Sequence, residues 1–400
     1  MSQSRLPGTP SLLRAINDRA ALELLLERGP LTRAQLGELT GLSKVTASQL
    51  VERLEERQLV RRVGELAGGR GPNAQLYAVV PGSAYVVGVD VGPSQVVAAS
   101  ADITGAMAGR VELSTHDAED PVGVVHTAVI EAARNSGAPW ERVRRVVLGT
   151  PGLVDPATGD IAFAFDLPHW HHGLLDALRA DLSRPVTFEN DVNLAAIAEA
   201  RTGAARGVED FALLWIGRGV GLAVVLGGRL HRGTAGAAGE IGYLPVPGAP
   251  LVEDARKRHP RGLTGSFQRM VSAEAVRNLA RAKGFRAATA ADALQAAIGA
   301  GEKGEPVLDE LARRVALGVV AVCLILDPGL VVLAGDVGRA GGTALAARVH
   351  EHLAKLAPVS PSVVASEVGT DPVLRGALLT GVAATREEVF TSTLEPSAAS

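Results

Sequence analysis

The stretch Leu31–Arg62, LTRAQLGELTGLSKVTASQLVERLEERQLVRR, decides how this chain is read. It holds two short segments with helical apolar spacing, 32–40 and 43–57, separated by Gly41-Leu42. Leu36 and Leu39 set the inward side of the first. Ala47, Leu50, Val51 and Leu54 set that of the second, at the i, i+3, i+4, i+7 intervals of a buried helical stripe. Gly41 supplies the left-handed residue that a sharp turn after a helix needs, and Ser43 is placed to cap the next helix. This is a helix-turn-helix pattern, whose second helix lies in the DNA major groove and presents its N-terminal side chains to base edges. Lys44, Thr46, Ser48, Gln49 and Arg53, with Ser43 at the helix start, are the expected DNA-binding set, since all can bond bases or phosphates. A plain helical subdomain would share the stripe, but the turn, cap, stripe and polar face all agree on DNA.

Working outward, Ser11–Arg28 reads as a supporting first helix with Leu13, Ile16, Ala20, Leu24 and Leu25 on its inward side. After the recognition helix, 59–63 and 75–79 read as two strands of a hairpin around the Gly-rich tip GELAGGRGPNA. That is the wing of a winged helix, and Arg70 at its tip is placed to enter a minor groove. An interdomain linker with an incidental arginine is the competing reading.

Charge divides along the same boundary. Residues 1–80 carry eleven Lys/Arg against eight Asp/Glu, whereas the whole chain of 400 residues has a net charge of −3. A basic head on an acidic body fits a DNA-binding domain joined to one that does not touch DNA. The chain is long enough for two or three domains. Val315–Leu326, its best apolar run, stops at Asp327-Pro328, short of the roughly 20 residues of a membrane span. The N-terminus lacks a signal-peptide core, and Cys323 is the single cysteine, which excludes an intrachain disulfide and a cysteine-built zinc site. A cytoplasmic protein is expected.

From Pro81 the composition changes. Strands are expected at 86–92, 95–103, 106–113 and 144–149, with a helix at 119–136. A second strand-turn-strand opening follows, with strands 212–216 and 222–226 around Gly217-Arg218-Gly219-Val220-Gly221. Helices are expected at 272–283, 289–299, 305–326, 342–356 and 372–390, and strands at 329–335 and 362–366. Two such openings separated by helices indicate a duplicated α/β lobe with a ligand cleft between the copies.

In this order and spacing, Asp90-Val91-Gly92, Gly149-Thr150-Pro151-Gly152, Glu189-Asn190-Asp191-Val192-Asn193, Gly217–Gly221 and Gly239-Glu240-Ile241-Gly242-Tyr243 resemble the ROK family (repressors, open reading frames and kinases), in its regulator branch. The resemblance covers almost the whole chain. It implies an α/β protein: a winged helix-turn-helix over 1–80, then a two-lobed, actin-like (ribonuclease H-like, sugar-kinase type) body over 81–400. Lobe one spans about 81–205 plus the closing helix 372–390, and lobe two about 206–371. In the kinases of the family the residue matching Asp191 is the catalytic base, and those matching Asn190 and Glu240 hold the sugar. A simple helix cap at Asn190 or Asp191 is what spacing alone suggests.

The nucleotide motifs depart from the kinase pattern. Pro93 stands where a backbone N–H would cradle phosphate, and proline has none. Arg218 replaces a small hydroxyl residue, and Asp336 a glycine where adenosine would approach, which argues against ATP and against an enzyme. On the sugar side, Tyr243 takes the place of a histidine that binds sugar and zinc, and Gln268 that of a sugar-binding glutamate. His259 in the former cysteine region, and His169, His171 and His172 in PHWHH, are read as loop histidines, so neither metal nor cofactor is expected. Asn190, Asp191, Glu240, Tyr243, Gln268 and Gly152 are the expected effector contacts. The expected function is a carbohydrate-controlled transcriptional regulator, most simply a repressor. As a homodimer or homotetramer it would bind inverted-repeat double-stranded DNA and no membrane. An ATP-dependent sugar kinase with an accessory DNA-binding head is the alternative.

Overall fold

A computed structural model describes residues 10–67, 73–115, 120–163, 173–252, 265–358 and 361–391. The head begins with α1 (Pro10–Arg28), β1 (Leu31–Thr32), α2 (Arg33–Thr40) and α3 (Lys44–Glu56). Thr32 and Gln35 form a reciprocal capping box: each side chain bonds the other's backbone N–H, at 3.2 and 2.8 Å. Gly41 closes α2 in the left-handed region at φ 72°. Then β2 (Val60–Leu66) and β3 (Ala74–Val79) pair antiparallel, with β1 on the far side of β3. This is the expected winged helix, with β1 as a third strand that its two-residue length hides from pattern reading.

Two expected faces are corrected. On α1 the buried residues are Ala15, Asp18, Ala21, Leu22 and Leu25, while Leu13 and Ile16 are 56% and 53% exposed. The inward stripe carries a carboxylate at its centre, so apolar spacing placed Leu24 and Leu25 correctly against the head core and misplaced Leu13 and Ile16. On α2, Leu36 is buried beside Gly37, but Leu39 is 39% exposed. Arg70, on the wing tip, lies outside the described residues.

The body contains two five-stranded sheets built on one plan. The first is formed by β4 (Tyr85–Val91), β5 (Gln95–Asp102), β6 (Met107–Ser114), β7 (Val143–Thr150) and β10 (Val186–Asn190). Its order is β10-β7-β4-β5-β6, with the first three parallel and the last two antiparallel. A short hairpin, β8 (Leu153–Val154) with β9 (Ile161–Phe163), lies beside it. The second sheet is formed by β11 (Phe211–Ile216), β12 (Val220–Leu226), β13 (Arg229–His231), β14 (Leu330–Ala334) and β15 (Ser362–Ala365), ordered β13-β12-β11-β14-β15. Again the three strands β11, β14 and β15 are parallel, and the two in the hairpin are antiparallel.

Helices complete the layers. α4 (Pro121–Asn135) and α5 (Leu174–Leu182) cover one face of the first sheet. α12 (Pro372–Thr391) covers the other, packing Leu374, Leu378 and Val382 on Val86, Val97 and Ala99. Alternate β4 residues serve the two faces, as the period of a strand requires. α6 (Asp191–Thr202) packs on the second sheet through Val192, Ala195 and Ala196, and meets α12 through Leu194. The far face of that sheet carries α8 (Ala273–Ala282), α9 (Ala290–Gly299), α10 (Glu305–Leu326) and α11 (Gly335–Leu356). The single turn α7 (Gln268–Val271) precedes α8. α6 and α12 thus form the layer between the sheets. The sequence reading missed α5 and the first segment of α11; Gly342, at φ 53° and ψ −149°, leaves the helical region, so the expected helix from 342 is the second segment of α11. No helix among the described residues is long and apolar enough to cross a membrane.

Candidate ligand cleft and DNA-binding head

A cavity of about 490 Å³ opens between the lobes, where strand ends of both sheets meet the N-termini of α6 and α12. Its size falls in the range of small-molecule sites, about 300–1,000 Å³. Asp90, Asn190, Asp191, Glu240, Tyr243, Gln268 and Gly152 all line it, so the fold brings every expected effector residue to one place. Their roles differ, however.

Asn190 is the N-cap of α6: its Oδ1 accepts from the backbone N–H of Val192 and Asn193 at 3.0 and 3.1 Å. Its Nδ2 donates to the Gly152 carbonyl at 3.0 Å, tying the helix start to the turn after β7. Cap and cleft wall are therefore one residue. Gln268 is spent on the backbone: Oε1 accepts from Val220 N–H and Nε2 donates to the Arg218 carbonyl, both at 2.8 Å. It braces the glycine turn between β11 and β12, a role that reading it as a sugar contact did not foresee. Glu189 is buried and accepts from Asn193 Nδ2 at 2.8 Å and from Arg232 Nη2 at 2.6 Å. Arg232 follows β13, so this ion pair joins the two lobes. Sequence reading passed over Arg232, which carries no motif.

The cavity is acidic. Asp90, Asp191, Glu240, Asp336 and Asp371 face it against Arg218 and Arg339. Burial, then the nearby Asp191 and Asp371 carboxylates, push Asp90 up to about 7. Burial also raises the Glu240 carboxyl, and burial followed by Glu240 raises the Tyr243 phenol. Gly239, at φ 99°, holds Glu240 in place: a Cβ there would lie 1.8 Å from the Leu222 carbonyl oxygen.

At the other end of the cavity, the Gly92 N–H donates to the Gln95 carbonyl at 2.8 Å, closing the turn on itself, and Pro93 adds no donor. Asp336 opens α11 and accepts from Arg339 Nη2 at 3.2 Å, while Arg339 Nη1 donates to the Gly369 carbonyl at 3.1 Å. The zinc and ATP that the resemblance implies for the kinases find few partners here: Gly92 N–H is engaged within its hairpin, Pro93 has none, and Tyr243 offers the cavity a phenol. Among the described residues, no three His, Cys, Asp or Glu are grouped to hold a metal. His169, His171, His172 and His259 lie outside those residues. Cys323 is buried, which pushes its thiol up to about 11.

In the head, Ser43 caps α3: its Oγ accepts from Thr46 N–H at 3.2 Å and lies 2.9 Å from the Thr46 hydroxyl. Lys44 and Gln49 are exposed, and Thr46 and Ser48 half-buried. Arg53 has a second task that the sequence did not show. Its Nη2 donates to the fully buried Asp18 of α1 at 2.6 Å, so its charge is engaged within the head. Val45, in the first turn of α3, is 67% exposed. It escaped the search for polar contacts, but an exposed valine at a recognition-helix start suits a thymine methyl group.

The ROK family model matches residues 86–381, and a MarR family model matches 17–71. A glucokinase of Halalkalibacterium halodurans is 29% identical over 65% of this chain and 83% of its own. The xylose repressor of Bacillus subtilis is 26% identical over 59% of this chain, which spans only 62% of that repressor's length. The DNA-binding transcriptional dual regulator NagC of Escherichia coli is 24% identical over 94% of this chain and 96% of its own. A crystal structure of a ROK family transcriptional regulator, a homologue of the E. coli MLC protein, superposes with a TM-score of 0.71 at 20% identity, covering 95% of this chain and 98% of the other. With the body matched end to end and a MarR-type winged helix in front of it, this chain belongs to the ROK family, in the branch of transcriptional regulators.

Proposed function

We propose that this protein is a repressor whose hold on an inverted-repeat operator changes when an uncharged carbohydrate occupies the cleft. One observation carries the reading: α12 begins in the cavity wall and ends in the head. Pro372 and Val373 line the cavity. Eighteen residues on, Phe390 is buried in the head core beside Leu22 and Leu54, and Arg57 Nη2, at the end of the recognition helix, donates to the Val389 carbonyl at 2.6 Å. A ligand that prefers one lobe arrangement moves the N-terminal end of a helix whose other end is bonded to the DNA reader. Two heads in a homodimer would read two half-sites. Asp191, Glu240 and Asp336 line the cavity against Arg218 and Arg339, while Arg110 bonds Asp371, and this acidic excess favours a neutral sugar over a phosphorylated one.

The glucokinase relative and the retained Asp191 support a second reading, a sugar kinase. The self-bonded Gly92 turn and Pro93 weigh against it. One experiment separates the two. An operator is selected from random duplexes and titrated in the presence of D-glucose, D-xylose, N-acetyl-D-glucosamine and their phosphates, with ADP release followed in parallel. At least one neutral sugar should shift operator affinity, with no ADP formed. Turnover with any of these sugars would establish the kinase, and operator affinity indifferent to all of them would remove the carbohydrate effector.

A further inference from the structure

The chain passes between the lobes twice. Residues 203–210 lead from α6 into β11, and 366–371 lead from β15 back to α12. Both passages are bonded to one side chain, Glu199 in the last turns of α6, which is 1% exposed. Its Oε2 accepts from the Ala204 N–H at 2.7 Å, on the outward passage. On the return passage, its Oε1 accepts from the Val368 N–H at 3.0 Å and from the Ser366 hydroxyl. The Glu367 N–H approaches Oε2 at 3.5 Å. No ion pair with Glu199 is seen among the described residues, so backbone and hydroxyl donors stabilise this buried carboxylate.

Gly203 makes the arrangement possible. A Cβ there would lie 2.0 Å from Glu199 Oε2 and 2.9 Å from a Val368 methyl, so a side chain would push the carboxylate off its donors. Ser366 and Val368 also line the cavity. The segment that Glu199 holds is therefore both an interlobe connection and part of the ligand wall.

We propose that Glu199 is the hinge-positioning residue of this protein, one carboxylate that makes the two interlobe passages move as a unit and fixes the 366–368 wall of the cleft. The inference does not depend on which ligand the cleft takes, or on whether it takes one. An acceptor that serves two passages couples their opening, because neither can leave without stranding a buried acceptor oxygen.

Backbone hydrogen exchange on the full chain tests this, comparing the wild type with Glu199→Gln and Ser366→Ala. Glu199→Gln keeps the volume but turns an amide donor toward backbone N–H groups. Amides at 203–208 and at 366–369 should both exchange at least tenfold faster, while those in β4, β11 and the head keep their rates. Acceleration of one passage alone, or of neither, or a uniform acceleration throughout the chain, would overturn the proposal. Should Glu199→Gln fail to fold, Ser366→Ala decides. It touches only the return passage, and coupling requires the Ala204 amide to accelerate with 366–368. A response confined to 366–368 would refute the coupling.

Discussion

Asp90 lies one residue before the end of β4, in the cavity wall, where burial and two neighbouring carboxylates hold its proton to about pH 7 against an ordinary value of 3.8. Between those values the unfolded chain releases the proton and the folded chain keeps it, so stability falls as pH rises through this window. Asp90→Asn removes the titration. Its stability relative to the wild type should therefore grow from pH 5 to pH 8, by an amount of up to about 3 kcal/mol. Thermal melts across that range read it, and a difference that stays flat with pH would show that Asp90 titrates normally. In the head, the same scale separates two exposed α3 residues. Gln49→Ala should lose about 1–3 kcal/mol of discrimination at one base pair of each half-site, the worth of a bidentate contact to adenine. Val45→Ala should cost less, and only where the site has a thymine. Operator variants titrated against both proteins provide the check; equal weakening on every sequence would remove either residue from base reading. The sequence exposed Gln49 because its neighbours Ala47, Leu50 and Leu54 claim the opposite side. It concealed Arg53, whose partner Asp18 lies 35 residues away on another helix.

Among the elements, α3 and α10 were legible because their buried stripes are wholly apolar, and the two strand-turn-strand openings because glycine turns bracket buried runs. α1 was not legible. Its inward face carries Asp18, which is fully buried and faces Arg53 at 2.6 Å and Arg57 at 3.7 Å. Burial pulls the Arg57 guanidinium below its usual range, and Asp18 opposes that pull. α1 and α3 are therefore joined by charge where pattern reading looks for leucine. Removing one partner of such a buried set leaves the others uncompensated, at a cost of about 3–5 kcal/mol. Both arginines keep partial access to water, which places Asp18→Asn near the lower end. The loss should appear in thermal denaturation monitored by head-specific exchange. A change under 1 kcal/mol would mean that solvent already screens the set. In the cleft, motif order alone located the residues, but the work of Asn190 and Gln268 rests on backbone partners up to 50 residues away, which no local pattern encodes.

Across the whole molecule, the sequence divided cleanly into a head and a duplicated body, yet gave no sign that one helix belongs to both. α12 closes lobe one by its apolar residues, lines the cavity at its start, and enters the head core at Phe390. Arg19 of α1 pairs with Glu387, and Arg57 of the recognition-helix end bonds the Val389 carbonyl, so polar contacts fix head and helix in register. If this junction transmits the state of the cleft, weakening it should reduce communication before it reduces DNA binding. Arg57→Met is the appropriate probe, since it fills similar space and leaves Asp18 paired with Arg53. Allosteric coupling factors are commonly about 5–150-fold, and the ratio of operator affinities without and with the active sugar should fall toward one in this variant. Sugar-free operator affinity and its salt slope should change little, because the guanidinium faces Asp18 and the Val389 carbonyl. Operator titrations with and without the sugar over a salt series measure all three quantities. An unchanged affinity ratio with a shallower salt slope would mean that Arg57 serves DNA directly and that α12 does not carry the signal.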